Sequence, residues 1–559
     1  MAIKTMLTEE MIERYREDGG RWREWVLYDW LKDNADVYPK KEAIVDTFYG
    51  FDERRRRTWG RMFEEVNLII LNLLNLGVKK ESRFIFFMPN IIENFYMHFV
   101  TSKFNATQAP LQVNLGEAEI QMFTKYLEPE VAVIVPSYHG RDTASIFKNL
   151  QKEVSALKYI FAVTKPGETV PEGSKTRPFS DLLDPRVKEK TKDIEGLKTE
   201  VRAPWDLMLT SGTAAGIPKM MVHSAATILI SSFWAVADRA GISPYDRLLV
   251  MVPMNGPTGL CYSTWVPAKT GCTAVYHTEY DEEESCKLVE QEKITAWGGI
   301  PTHMIQTATS PFFDQYDMST LRLATPTGGI MPPQVAEKLW NKGIKTANCY
   351  GWAEAGATHM GNVFTMSREK LIHTVGPAFE GYGFKIIDTE GQEVPCGEVG
   401  EICVKSPHHG YFNAPELNKK AYDAEGWSHS GDAGFMDEDG NLTVVGRIKE
   451  MILKGAQNIY PVEIEDIILK DPKIREVQIV GMPDKTYGED VCAYIVPNAG
   501  ETITLDYITS IMEDAKVAKF KRPRRVEIID KMPVSAGGKI SKFALKEDIT
   551  KKLKAEGVI

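Results

Sequence analysis

Leu209-Thr210-Ser211-Gly212-Thr213-Ala214-Ala215-Gly216-Ile217-Pro218-Lys219 is the stretch on which the reading of this chain turns. It gathers hydroxyls, glycines and one lysine, the chemistry a protein uses to hold a polyphosphate. Small residues let backbone N–H groups turn inward around an anion, Ser and Thr hydroxyls add donors, and the lysine supplies a full charge. The apolar run Trp205–Leu209 just before it predicts a buried strand, so the segment is expected to spring from a sheet edge. It is not the G-x-x-x-x-G-K-[ST] loop, because Lys219 follows a proline and precedes Met220. Taken alone, the segment also reads as an ordinary Ser/Gly surface turn.

Composition narrows the function classes. A chain of 559 residues, 43% hydrophobic and 26% charged, has room for about three or four domain-sized units and several cores. A formal charge of -10 argues against a general nucleic-acid binder, which needs a basic face. No apolar run reaches the roughly 18 residues of a membrane span; the greasiest stretch, Val66 to Leu76, is broken by Asn67, Asn72 and Asn75. The opening residues lack the apolar core of a secretory leader. Seven cysteines without a C-x-x-C pair suit free thiols in a reducing compartment. A cytoplasmic protein is expected.

The rhythm along the chain is α/β. Arg61 to Leu76 predicts an amphipathic helix, and Arg83–Met88, Val131–Val135, Arg247–Val252 and Thr273–Tyr276 predict buried strands. Such alternation implies mostly parallel sheets covered by helices. Residues 165–200, rich in Pro, Gly, Lys and Asp, read as an exposed connection. Turn-rich segments between about 380 and 445 suggest hairpins and a more β-rich layer, and beyond Gly446 the pattern becomes a compact α+β unit. The expected division is an N-terminal domain over 1–448 and a C-terminal domain over 449–559. Asp437-Glu438-Asp439-Gly440 hints at a calcium loop, but that register places Gly446 where the bidentate Glu must stand. A hairpin turn is expected there.

Four further segments carry polar chemistry. Asn348-Cys349-Tyr350-Gly351-Trp352-Ala353-Glu354 follows a strand with an aromatic that can stack on a base and a carboxylate suited to a hard cation. Trp427-Ser428-His429-Ser430-Gly431-Asp432 offers an aspartate for ribose hydroxyls. Arg447 in Gly446-Arg447-Ile448-Lys449-Glu450 is placed to second that contact. Ser535-Ala536-Gly537-Gly538-Lys539-Ile540 presents a lysine on a glycine loop. Each alone is most simply a surface turn; their order and spacing together are specific.

With these motifs on the page, the chain resembles the adenylate-forming superfamily of acyl-CoA synthetases, peptide-synthetase adenylation domains and luciferases. The resemblance runs from Trp30 to Lys546. It includes the long signature from Gly426-Trp427 through Gly446-Arg447-Ile448-Lys449 to Asn458-Ile459-Tyr460-Pro461-Val462-Glu463-Ile464-Glu465. Pro218-Lys219-Met220 followed by His223 is similar to the P-K-M-x-x-H of the medium-chain acyl-CoA synthetase branch. The resemblance implies that a small-molecule carboxylate first attacks the α-phosphate of ATP, giving an acyl-adenylate and pyrophosphate. The thiol of coenzyme A then takes the acyl group and releases AMP. It implies that Thr210, Ser211, Gly212, Thr213 and Lys219 grip the phosphates and that Glu354 holds Mg2+. Asp432 and Arg447 would bind the ribose, Tyr350 with Gly328, Gly329, Ile330 and Met331 would flank adenine, and Gln457 is grouped with the nucleotide contacts. Lys539 would bridge carboxylate and α-phosphate. The resemblance also implies that the C-terminal domain is mobile, pivoting at Lys449, with Lys454, Gly455 and Ala456 beside the pantetheine of CoA. The basic residues Lys516, Lys519, Lys521, Arg522, Arg524 and Arg525 are candidates for the CoA phosphates or simply a solvated basic face.

Three departures from the family pattern stand out. The phosphate loop carries an extra small residue and alanines at 214 and 215. Ala353 stands where a threonine is usual, and Gly537 replaces a serine. A lost neutral hydrogen bond is worth about 1 kcal/mol, so none forbids catalysis. Gly351 stands where acetyl-CoA synthetases close the acyl pocket with a tryptophan, so the expected acid is longer than propionate: medium-chain, branched, cyclic or aromatic. Phe233, Trp234, Asn255, Gly259, Gly328, Gly351 and Trp352 are the candidate walls. The expected assembly is a monomer or homodimer. An adenylating enzyme that loads a carrier-protein thiol is the rival reading.

Overall fold

The computed structural model describes residues 24–47, 54–165, 168, 170, 176–186, 192–214, 217–228, 237–356, 358–379, 382–406, 409–455, 457–534 and 540–559. Two seven-stranded sheets form the body. The first runs, edge to edge, Ile217–Ser224, Pro204–Ala214, Thr107–Pro110, Arg83–Phe87, Val131–Ile134, Tyr159–Ala162, Thr176–Pro178. All its pairs are parallel except the edge pair of Ile217–Ser224 with Pro204–Ala214. The second runs Lys345–Thr346, Leu323–Pro326, Ala296–Gly299, Arg247–Val250, Thr273–Tyr276, Glu42–Asp46, Arg55–Thr58, with only the last pair antiparallel. The strands expected at 83, 131, 247 and 273 are all present, and the helix expected at 61–76 spans Trp59–Asn75.

One helix explains how the two sheets meet. Ile92–Phe104 is buried on nearly every side, with Glu93 and Lys103 alone partly exposed and its polar Asn94, His98 and Thr101 hydrogen-bonded inside. It lies in a single core with Phe84 and Phe86 of the first sheet and Leu248 and Val250 of the second. Polar ties cross the same seam. Asn255 donates to the carbonyls of Met88 (2.8 Å) and Leu111 (2.6 Å), and its own oxygen accepts from Asn94 (2.9 Å). Asn90 donates to the Val252 carbonyl and accepts from the Met254 N–H, both at 2.8 Å.

The stretch read as a connection over 165–200 contributes more than that. Thr176–Pro178 is the seventh strand of the first sheet, and Phe179 and Leu182 are buried in the core. The β-rich layer is a four-stranded antiparallel sheet, Gly383–Ile387, Gly400–Lys405, Ser428–Met436 and Leu442–Arg447. Asp437 makes the expected turn, its Oδ1 accepting the N–H groups of Asp439 (3.0 Å) and Asn441 (2.8 Å). A last sheet combines Ile452–Lys454, Gln457–Ile459, Ile474–Asp484, Gly488–Pro497 and Arg525–Ile528 around cores of its own. Among the described residues no helix is long and apolar enough to cross a membrane.

Because Asn255 supplies the donors to two buried carbonyls, Asn255→Ala is expected to cost about 2–4 kcal/mol. A lowered denaturant midpoint for the N-terminal part of the chain checks this; an unchanged midpoint would show that the tie carries little weight.

Candidate active site

The phosphate segment is a β-hairpin rather than a free loop. Thr210 to Ala214 continue the strand from Pro204, and the return strand carries Lys219. The register slips between Leu209, opposite Met220, and Thr213, opposite Pro218, so a bulge lies where the hydroxyl residues stand. The side chains of Thr210, Ser211 and Thr213 lie outside the described residues, as do Ala215 and Gly216. Lys219 is half-buried.

The free edge of that hairpin is taken by residues 410–412. The Val222 N–H donates to the Gly410 carbonyl (3.0 Å) and the Phe412 N–H to the Met220 carbonyl (2.8 Å). Between them, the Tyr411 hydroxyl donates to Glu354 Oε1, and Tyr422 donates to the Glu354 carbonyl at 2.5 Å. The strand that carries Lys219 and the turn that carries Glu354 are thereby joined through two backbone bonds and a tyrosine.

Glu354 sits on the single 3-10 turn Ala353–Ala355, five residues after the strand Cys349–Tyr350 begins. At the other end of this segment the Tyr350 hydroxyl donates to Asp432 Oδ2 at 2.6 Å, and the Arg447 guanidinium meets Asp432 Oδ1 at 2.8 Å. Asp432 and Arg447 face each other across neighbouring strands, and Arg447 also donates to the Ser430 carbonyl (3.1 Å). Burial and the Asp432 carboxylate hold the Tyr350 hydroxyl well above its ordinary pKa, so it stays a donor. Trp352 fills the middle: its backbone N–H donates to His359 Nε2 (3.1 Å) and its indole to Ser428 Oγ (3.0 Å). Burial pushes the His359 imidazole down to about 3, which keeps Nε2 an acceptor. The turn at Gly328 to Met331 adjoins Tyr350 through a bridge between Thr327 and Cys349.

A model of the AMP-binding enzyme family matches residues 31–412, and a model of the AMP-binding enzyme C-terminal domain matches 463–539. The chain belongs to the AMP-binding enzyme family. Among curated relatives, a putative acyl-CoA synthetase, YngI, of Bacillus subtilis (strain 168) is 29% identical over 92% of this chain and 96% of its own length. A medium-chain fatty-acid–CoA ligase of Escherichia coli (strain K12) is 27% identical over 99% of this chain and 95% of its own. An indoleacetate–CoA ligase of Aromatoleum aromaticum is also 27% identical, over 94% and 98%. Among solved structures, the anthranilate CoA ligase AuaEII in complex with anthranoyl-AMP shares the fold, with a TM-score of 0.81 over 95% of this chain and 98% of that one at 21% identity.

Not every residue singled out in the sequence of this AMP-binding enzyme is free to meet a ligand. Asn255 is 3% exposed and engaged on both donors and its acceptor by the seam between the sheets, so it is a tie rather than a pocket wall. Gly259 is needed for packing, since a Cβ there would fall 1.8 Å from the Pro253 carbonyl oxygen. Met331 is buried in the core of the second sheet. Lys454, expected beside CoA, pairs with the buried carboxylate of Asp490. Gly455 makes the tight turn before Gln457, with φ +62°. Gln457 and the proposed pivot Lys449 are exposed. Of the basic run, Lys521, Arg522, Arg524 and Arg525 are all in ion pairs with Glu463, Glu513, Asp484 and Glu556 respectively. Phe233, Trp234, Ala456 and Lys539 lie outside the described residues.

The sequence reading missed Tyr411 and Tyr422. Their only signal was two tyrosines in a segment that had shown no motif, and their role depends on a strand pairing nearly two hundred residues away in sequence. Tyr411→Phe keeps the ring and removes the donor to Glu354. It is expected to lower kcat/KM for ATP about tenfold, or ~1.4 kcal/mol, with little loss of thermal stability. Steady-state AMP release at varied MgATP checks this.

Proposed function

We propose that this AMP-binding enzyme is an AMP-forming acid:CoA ligase acting on a medium-chain, branched or cyclic/aromatic monocarboxylate. The observation that carries the reading is the path from the strand that bears Lys219, whose edge pairs with residues 410–412, through the Tyr411–Glu354 hydrogen bond and along five residues of backbone to Tyr350, Asp432 and Arg447. It sets a cation and a carboxylate at one end and a carboxylate–guanidinium pair at the other. Family membership and relatives that are acyl-CoA ligases over nearly their whole length support the same chemistry.

In this reading Lys219 and the backbone of the bulged hairpin receive the phosphates of ATP. Asp432 accepts from the ribose hydroxyls while Tyr350 and Arg447 fix its carboxylate. Glu354 fits a magnesium ion: it is a half-buried hard oxygen donor, oriented by Tyr411, and Mg2+ takes one or two carboxylates alongside phosphate oxygens. When bound, the ion neutralises phosphate charge. The acid's carboxylate displaces pyrophosphate at the α-phosphorus, and Lys539 screens the charge that builds between the two reacting groups. The protein contributes position and electrostatics rather than a covalent step. CoA thiolate then attacks the acyl carbon, and AMP leaves with its phosphate oxygen. We place the domain division at 448/449, with a pivot at Lys449 that brings CoA to the adenylate and withdraws Lys539.

The acyl pocket is read from Gly351 and Trp352. Without a side chain at 351 the floor stays open, and apolar walls discriminate by only about 1–3 kcal/mol per methylene, so a broad acid range is expected.

AMP release measured with and without CoA tests the reading. CoA-dependent release with thioester formation is expected; adenylate accumulation that ignores CoA would instead select the carrier-loading enzyme. Lys539→Ala separates the half-reactions. It is expected to abolish adenylate formation while still converting supplied acyl-adenylate and CoA to thioester, and equal loss of both would overturn the domain rotation.

A further inference from the structure

A cluster beneath the Gly431 turn is not used by the ligase chemistry. Glu401 and Cys403 stand two residues apart on the strand Gly400–Lys405, so their side chains share a face. His429 lies directly opposite Cys403 on the neighbouring strand. Past that pair the register breaks: Cys403 faces His429, but Glu401 faces Ala433. The extra residues form a bulge that lets Glu401 reach back to His429.

The three ligand atoms converge on one point. Cys403 Sγ lies 3.5 Å from His429 Nδ1, and Glu401 Oε2 lies 3.1 Å from the same nitrogen. All three lie within 4.8 Å of one another. Around a tetrahedral zinc ion, bond lengths near 2.3 Å to sulfur and 2.0–2.1 Å to nitrogen and oxygen give edges of about 3.6 Å for S···N and about 3.3 Å for N···O. The observed separations are close to both.

Hydrogen bonding alone serves this arrangement poorly. One ring nitrogen carries either a proton or a lone pair. With a proton it donates to Glu401 and offers the thiol no acceptor. With a lone pair it accepts from the thiol but turns that lone pair on a carboxylate. A cation between the three satisfies all of them.

The surroundings are those of a metal ligand set. His429 Nε2 faces Asp423 Oδ2 at 3.7 Å, the place where a ligating histidine usually presents its other N–H to a carboxylate. Glu401 Oε1 accepts the Gly431 N–H at 3.0 Å, which fixes the carboxylate. Cys403 is fully buried, while the His429 side chain is 39% exposed, leaving a solvent-facing side for a fourth ligand. Lys385, opposite Cys403, has its ammonium over the Trp427 ring, 4.4 Å from the centroid.

We propose that Cys403, His429 and Glu401 form a zinc-binding site, three protein ligands with water in the fourth position. A thiolate, an imidazole and a carboxylate together suit zinc rather than magnesium or calcium, which take oxygen ligands. Binding displaces the thiol proton to solvent. The ion would share Glu401 with the Gly431 N–H and so stiffen the strand that carries Asp432. The competing account is an imidazolium held between Glu401 and Asp423, with no metal.

The full-length protein, stripped with chelator and titrated with Co2+, distinguishes the two. One equivalent is expected to raise a thiolate-to-cobalt charge-transfer band in the near ultraviolet, with visible bands of tetrahedral intensity, and one equivalent of Zn2+ to bleach both. Cys403→Ser is expected to abolish the charge-transfer band, and Cys396→Ser, at the one exposed cysteine among the described residues, to leave it intact. His429→Gln, at a solvent-facing position, is expected to weaken cobalt affinity at least tenfold and decides the matter if the buried Cys403→Ser fails to fold. Absence of the band in the unmutated protein, its survival in Cys403→Ser, or unchanged affinity in His429→Gln would overturn the site.

Discussion

The hydrogen bond from the Tyr350 hydroxyl to Asp432 joins parts of the chain that have no reason of sequence to meet. Tyr350 ends a two-residue strand beside the second sheet, and Asp432 belongs to the antiparallel layer. Five residues span Tyr350 to Glu354, and both ends are tied: one to Asp432, the other to Tyr411 on the edge of the first sheet. With both ends fixed, the distance between the Glu354 carboxylate and the Asp432–Arg447 pair is set by chain length. A nucleotide triphosphate needs such a separation held constant, and rigid elements hold it better than loops do.

That constraint works only because the two large sheets keep a fixed relation. Apolar packing around Ile92–Phe104 supplies much of the cohesion, but apolar contact is non-directional. Direction comes from the asparagines. Asn90 and Asn255 reach backbone atoms across the seam, Asn94 holds the Asn255 side chain, and a shift of either sheet would leave buried carbonyls without donors. A comparable network stands under the phosphate hairpin: Gln108 donates to Asp206 (2.6 Å) and lies 2.7 Å from His98 Nδ1. Burial raises the Asp206 carboxyl to about 7 and lowers His98 to about 3, so the imidazole stays neutral and the carboxyl takes up a proton far more readily than a free one. Three residues separate Asp206 from Thr210, which makes this polar floor the fixed end from which the hairpin projects.

Much of the fold was legible because it depends on local periodicity. Buried parallel strands are continuous apolar runs, and those at 83, 131, 247 and 273 were plain. The hairpin at 204–224 was read as a strand and a loop because Ser, Gly and Thr carry turn chemistry. Pairing with a neighbour overrode that preference, and the register slip absorbed the mismatch. Thr176–Pro178 was hidden among polar residues, as a short strand at a sheet edge can be. In the candidate site, motif spacing singled out Glu354, Asp432 and Arg447, and the structure joins the last two directly and the first through the Tyr350–Glu354 segment. Asn255 and Lys454 looked free, since sequence does not show that Met88, Leu111 or Asp490 would claim them. Tyr411 was invisible for the converse reason.

The same accounting bears on the proposed pivot. The last sheet has its own cores, and the run from Lys521 to Arg525 is largely neutralised by carboxylates within the same part of the chain. Such a unit gives up little when it turns. Among the described residues it meets the body at several points: Gln334 donates to the Asp466 carbonyl at 2.7 Å, Leu469 packs, only partly buried, against the core of the second sheet, and the helix Pro461–Ile468 lies against the strand Leu442–Arg447. Water can replace the first contact at small cost, and one partly exposed leucine offers about 1 kcal/mol or less beyond what it retains in solvent. Interfaces between domains of one chain permit relative motion unless they are large and hydrophobic. The ion pair between Asp432 and Arg447 lies at the end of the strand that leads into Lys449, so this end of the candidate site is anchored just before the proposed pivot.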